Sequence, residues 1–231
     1  MDRKVLFENV RKAYRLLFEV QDSIVELVEY IRSRIRLDDC VAKQIFSDPI
    51  SQRKSDVDGS GAKNYFGGGM WSWDYFPSFM YMYYFKTPSL GNLESCFNII
   101  QVMDDGAKEA DFDSGIVPTP IKFIGVEKSQ SYMLFAFSIW ENTHRAIWFD
   151  GSPKDGEKAR VLREEVFRIT SLIEEGDNPL IIADSDYPHD YFILKKINMC
   201  DIGNKEEADE ALTAFALNIK RVTGYSLLSE A

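Results

Sequence analysis

Of the chain's two histidines, one stands among three aspartates, in the stretch LIIADSDYPHD. An apolar run ends at Asp184, and Asp186, His189 and Asp190 follow within six positions. Carboxylates with an imidazole at a strand end can hold Mg²⁺, Mn²⁺ or Zn²⁺ and activate a water molecule on it. That chemistry would make the chain a metal-dependent hydrolase, a nuclease or a phosphoesterase. The competing account is local. Aspartate starts turns by bonding to its own backbone, and an acidic chain places several acids in any loop. Two nuclease patterns fail on detail. Glu127 before Asp184-x-Asp186 has the order of a Toprim-like centre, but a hairpin follows Glu127 where that centre needs a helix. Glu127 and Lys128 are adjacent, so the Glu-x-Lys of a restriction-type centre is absent.

Acid also gathers in DDGAKEADFDSG, at Asp104, Asp105, Glu109, Asp111 and Asp113. A calcium loop needs oxygens at alternate positions and a distal glutamate, and only Asp111-x-Asp113 matches. Like charges in a loop repel one another, so the cluster is either simply solvated or a docking patch for a basic protein. The whole chain carries a net charge of −10. Residues 1–40 hold eight basic and eight acidic side chains, whereas residues 71–231 hold fifteen basic and twenty-six acidic ones. Such a surface repels phosphate backbones, which makes nucleic acid an unexpected partner. It attracts a basic protein and speeds its association.

Cys40, Cys96 and Cys200 are far apart and odd in number, with neither zinc-ligand nor redox spacing. That usage fits a reducing compartment, and the charged start of the chain has no signal core, so a cytoplasmic protein is expected. Apolar runs such as YMLFAFSIW are shorter than the roughly 20 residues that span a bilayer, and FMYMYYF lacks basic flanks, so no membrane contact is expected. There is no nucleophile elbow and no helix-borne histidine pair. Gly67–Gly69 runs into tryptophans, not into the Lys-Ser or Lys-Thr and helix of a phosphate loop. Neither a cofactor nor a resident metal is expected.

The elements that would position these residues can be read from periodicity. Leu6, Val10, Ala13, Leu17, Val20, Ile24, Leu27 and Ile31 alternate in steps of four and three, a heptad seam on one long helix over residues 1–37. Phe7, Tyr14, Phe18, Val25, Val28 and Ile35 widen the stripe. A stripe that broad packs on its own domain, whereas a seam that regular suits a helical dimer through Leu17, Val20, Ile24 and Leu27. Both readings stand at this point. Residues 47–69 have no apolar period and read as a loop rich in glycine, serine and aspartate.

Between Tyr65 and Phe85 stand eleven aromatic residues, no basic one and a single acid, Asp74. Base-stacking platforms interleave aromatics with lysine and arginine, so a core strand is the better reading. Phe79, Tyr81, Tyr83 and Phe85 would share one face, with Met80, Met82 and Tyr84 on the other, both apolar. SCFNIIQVM, IKFIGVE, SYMLFAFSIW and HRAIWFD follow as strands. The last three are joined by KSQ and ENT, links short enough for hairpins.

Two helices close the chain. Ser152, Pro153 and Asp155 open the first, with Ala159, Leu162, Val166, Ile169 and Ile173 as its stripe and Gly176 as its stop. Asn204 and Glu207 open the second, with Ala208, Leu212, Phe215, Ile219 and Val222, and Gly224 ends it. The expected fold is α+β in a single domain over 1–231: a mainly antiparallel meander sheet over 70–231, packed by the N-terminal helix and two C-terminal helices. The expected function is a non-enzymatic protein-interaction module for a basic protein partner, of the immunity-protein, antitoxin or defence-complex accessory-subunit kind. The alternative is the hydrolase at Asp184, Asp186, His189 and Asp190.

Overall fold

The computed structural model describes residues 3–37, 39–44, 53–56, 80–106, 124–142, 166–173 and 178–229. Helix α1, Arg3–Arg34, ends on Arg32 and Arg34, which complement the negative end of its dipole. Strands β1 (Asp39–Gln44), β2 (Arg53–Asp56), β3 (Met80–Leu90), β4 (Leu93–Val102), β5 (Tyr132–Glu141), β6 (Leu180–Ala183) and β7 (Tyr191–Asn198) precede helix α2, Lys205–Thr223. They form one seven-stranded sheet in the order β2-β1-β3-β4-β5-β7-β6. All its pairings are antiparallel. The fold is α+β, with β3, β4 and β5 as the central meander.

The β3–β4 hairpin turns on Gly91 at φ 63°, a backbone conformation that costs glycine nothing. Pro88 lacks the N–H a ladder needs, and the β3–β4 register shifts between Thr87 and Leu90 around it. α2 is capped as its sequence requires. The Asn204 side chain accepts from Glu207 N–H at 2.9 Å, and Glu207 Oε2 accepts from Gly203 N–H at 2.8 Å. Gly224 closes the helix in the left-handed region, at φ 75°.

Both faces of the central strands are buried, which is why their sequences read as nearly continuous apolar runs. On one face Tyr81, Tyr83, Phe85, Phe97, Ile99, Phe135 and Phe137 meet α1 (Ile24, Leu27, Val28, Ile31) and α2 (Leu212, Phe215, Ile219). Phe97 and Phe215 both pack on Phe135, Phe97 edge-on at 5.5 Å and Phe215 at 5.8 Å between ring centroids. On the other face Met80, Met82, Ile100, Val102, Tyr132, Leu134 and Phe192 meet Val166 and Ile169 of a helical segment at 166–170. The aromatic stretch is thus a core strand from Met80 to Phe85, while Tyr65 to Phe79 lies outside the described residues.

Several local expectations are overturned. Val126–Lys128, the end of IKFIGVE and the first residue of KSQ, form a 3₁₀ turn, not a strand, and Val126 is 81% exposed. β5 is bonded along its length to β4 and β7, so its edges go to distant partners and not to the hairpin neighbours suggested by KSQ and ENT. HRAIWFD falls outside the described residues. Arg53–Asp56, read as part of a loop, is an edge strand, and β1 was not foreseen either. β2, bonded on one side only, tolerates charge and needs no apolar alternation to betray it. Of the helix expected after Ser152, the described part is the segment carrying Val166 and Ile169.

Candidate functional site

At about 1.5 Å per residue, the 32 residues of α1 extend roughly 48 Å. Its buried residues are Gln21, Ile24, Leu27, Val28 and Ile31, all in the second half. Before Gln21, Val5, Leu6, Val10, Leu17 and Val20 are exposed, and Phe7, Tyr14 and Leu16 reach 58%, 53% and 61%. Spaced at 100° per residue, Leu6, Val10, Ala13, Leu17 and Val20 continue the stripe that sinks into the core from Ile24 onward. Lys4, Glu8, Arg11, Lys12, Arg15 and Glu19 gather on the opposite side. Lys12 pairs with Glu8 at 2.8 Å, an exposed helical bridge of small energetic weight. Five basic and two acidic side chains make residues 3–20 a basic segment of an acidic chain. So much apolar surface is unusual in a solvated helix.

The helix leaves the sheet at a buried polar knot. Gln101 Nε2 donates to Gln21 Oε1 at 2.7 Å, and Gln21 Nε2 returns a bond to Gln101 Oε1 at 3.3 Å. Tyr83 Oη donates to the same Gln101 oxygen at 3.2 Å. Farther along, Asp209 Oδ1 on α2 accepts from Arg34 Nε at 2.8 Å and from Tyr30 Oη at 3.2 Å. Loss of hydration and the Asp209 charge together raise the Tyr30 hydroxyl pKa. Beyond α2, Ser229 N–H donates to Arg34 O and Arg36 N–H to Leu227 O, so the C-terminal strip also grips the end of α1. One half of α1 is fixed at several points, and the other carries its apolar stripe into solvent. The seam residues named from the sequence are accordingly divided: Leu17 and Val20 are exposed, whereas Ile24 and Leu27 are core.

The acidic residues take other places. Asp105 is only 6% exposed, and its Oδ1 accepts from Gln130 N–H at 2.7 Å, so it buckles two loops together. Burial first, and then the Asp105 charge, raise the Tyr132 hydroxyl pKa. Asp104 Oδ1 accepts from Gly106 N–H at 2.9 Å. Glu109, Asp111 and Asp113 lie outside the described residues.

At the β6–β7 turn, Asp184 Oδ1 accepts from Asp186 N–H at 2.7 Å and from Tyr187 N–H at 3.1 Å, an Asx turn. Asp190 is buried, and its Oδ1 accepts from Glu141 N–H at 3.0 Å. Asp186 and His189 are exposed. Among the described residues, no three His, Cys, Asp or Glu side chains come together as a metal site would require.

The Gln21–Gln101–Tyr83 knot escaped the sequence reading. Its signal was a glutamine on the apolar side of α1 facing another on an apolar strand. Among the described residues, no helix is long and apolar enough to cross a membrane. Neither a curated protein nor a solved structure matches the chain. Its sequence matches the profile of a family described as PM0109 over residues 2–224, and the chain belongs to that family.

Proposed function

We propose that the protein is a non-enzymatic interaction module whose docking element is the exposed half of α1, and that a second copy of the chain docks there. The observation that carries this reading is the row Leu6, Val10, Leu17 and Val20, exposed in a helix whose other half is core. Their alternating four-and-three spacing is that of helices that pack on their like. Ala13 in the middle of the row leaves room for close approach. The helix's charges lie away from the row, so two copies could meet without opposing like charges. The acidic remainder of the chain supports a further contact with a basic protein, in the manner of an immunity protein, an antitoxin or an accessory subunit of a defence complex. The same surface and the cysteine usage suit a cytoplasmic setting.

Hydrolysis at Asp184, Asp186, His189 and Asp190 has less support, since the Asp184 carboxylate already holds its turn and the Asp190 carboxylate is bonded to Glu141 N–H on β5. Sedimentation over a dilution series tests the proposal. The wild type should pass from dimer to monomer, and Leu17→Glu with Val20→Glu should give a folded monomer throughout. A wild-type monomer at high micromolar concentration would refute self-association, and Mn²⁺ that raises the melting temperature would favour the hydrolase.

A further inference from the structure

Two copies of α1 can meet along the exposed row in parallel or in antiparallel, and the sheet decides between them. From Gln21 onward, the side of α1 that carries the row is covered by its own sheet through Ile24, Leu27, Val28 and Ile31. In a parallel pair, with axes about 8–10 Å apart, residues 21–34 of the partner would continue along that side, in the volume the sheet fills. Seven strands at about 4.8 Å spacing make the sheet roughly 30 Å wide, so a crossing angle of about 20° does not carry the partner past its edge. In an antiparallel pair, residues 21–34 of each copy instead pass beyond the other's first turn, and both sheets stay clear.

The spacing of the row agrees. Arg3 stands three residues before Leu6, so Arg3, Leu6, Val10, Ala13, Leu17 and Val20 follow in steps of three, four, three, four and three. That order reads the same from either end. Turned on itself, the row sets Leu6 against Leu17, Val10 against Ala13, and Arg3 against Val20, the last residue before the Gln21 knot. A parallel pair would set Arg3 against Arg3 within the seam, where like charges repel. Taking a second copy on this row as its basis, we propose that the two α1 helices lie antiparallel over residues 3–20, with Leu6 packed on the partner's Leu17. Each helix then covers, for the other, the stretch of stripe that its own sheet does not reach. The contact is closed and two-fold, with its axis between Val10 and Ala13.

Disulfide trapping in the full chain tests the orientation. Leu6→Cys and Leu17→Cys are placed in separate chains, both also carrying Cys40→Ser and Cys200→Ser, and one tagged so that mixed dimers are recognised. They are mixed where monomer and dimer exchange, and oxidised with diamide. The mixed dimer should form, and neither variant should cross-link alone. Like positions would lie more than about 16 Å apart along the helices, beyond the roughly 7 Å that a disulfide spans between Cα atoms. Val10→Cys mixed with Ala13→Cys should repeat the result. Cross-linking of Leu6→Cys or Leu17→Cys alone, without the mixed product, overturns the antiparallel arrangement and leaves self-association standing. Absence of every product also overturns it, and sedimentation of the same samples separates the two failures. A dimer there means another arrangement; a monomer means that self-association has fallen as well.

Discussion

The two halves of α1 share one seam and meet opposite fates. From Gln21 onward the stripe faces Tyr83, Phe97 and α2, while before it the same alternation of apolar residues stands in solvent. Periodicity states which side of a helix is apolar; it does not state what covers that side. A stripe longer than the sheet beneath it must end in solvent, on another chain, or on another part of its own. The knot of Gln21, Gln101 and Tyr83 marks the crossing, where a buried amide pair fixes the axial position of the helix.

Mutating each half in turn sharpens the contrast. The largest effect belongs to the buried half: Ile31→Ala should cost about 2–5 kcal/mol in a denaturant titration. Leu17→Ala, on the same stripe, should change the stability of the isolated monomer by no more than about 0.5 kcal/mol. Equal losses at the two sites would mean that the first half is also covered within one chain. At the crossing, Gln21→Ala should cost about 1–3 kcal/mol, because the Gln101 amide would be stranded. Replacing Gln21 and Gln101 together by leucine should cost less than the single change. Unequal behaviour of this kind identifies a register device; a larger loss in the double variant would show that the pair is ordinary packing.

How much of this was legible follows the same divide. β3 to β5, β6 and β7, and the capped α2 were readable because each carries its own signal: two-sided apolar runs, a turn before DYFILKK, Asn204 with Glu207, and Gly224. The partners of β5 were not, since pairing across distant segments leaves no mark in local spacing. β2 escaped because an edge strand need not alternate, and β1, bonded on both sides, because its six residues DCVAKQ hold only the short apolar run CVA. The acids of LIIADSDYPHD were seen as chemistry, but the choice between a turn and a metal site depends on which backbone N–H groups stand nearby. Asp105 escaped for the same reason: its burial is decided by the distant Gln130.

A smaller effect concerns alkaline pH. The Tyr132 hydroxyl pKa is raised by burial and by Asp105, so the folded state holds its proton more tightly than the unfolded chain. Its contribution is complete below the ordinary tyrosine value of about 10 and is lost as pH climbs from there toward the raised folded value. Tyr132→Phe should therefore flatten the decline of Tm above about pH 10. An unchanged decline would place the responsible group elsewhere. The smallest change is expected at Asp209→Asn, where a half-exposed bridge to Arg34 contributes about 0–1 kcal/mol.

The most direct test of the docking claim is amide hydrogen exchange along α1 at low and at high protein concentration. The account predicts that residues 24–31 are protected at both concentrations, and that residues 6–20 gain protection only when the chain is concentrated. Equal protection of residues 6–20 at every concentration, or fast exchange there while the protein associates, would contradict it.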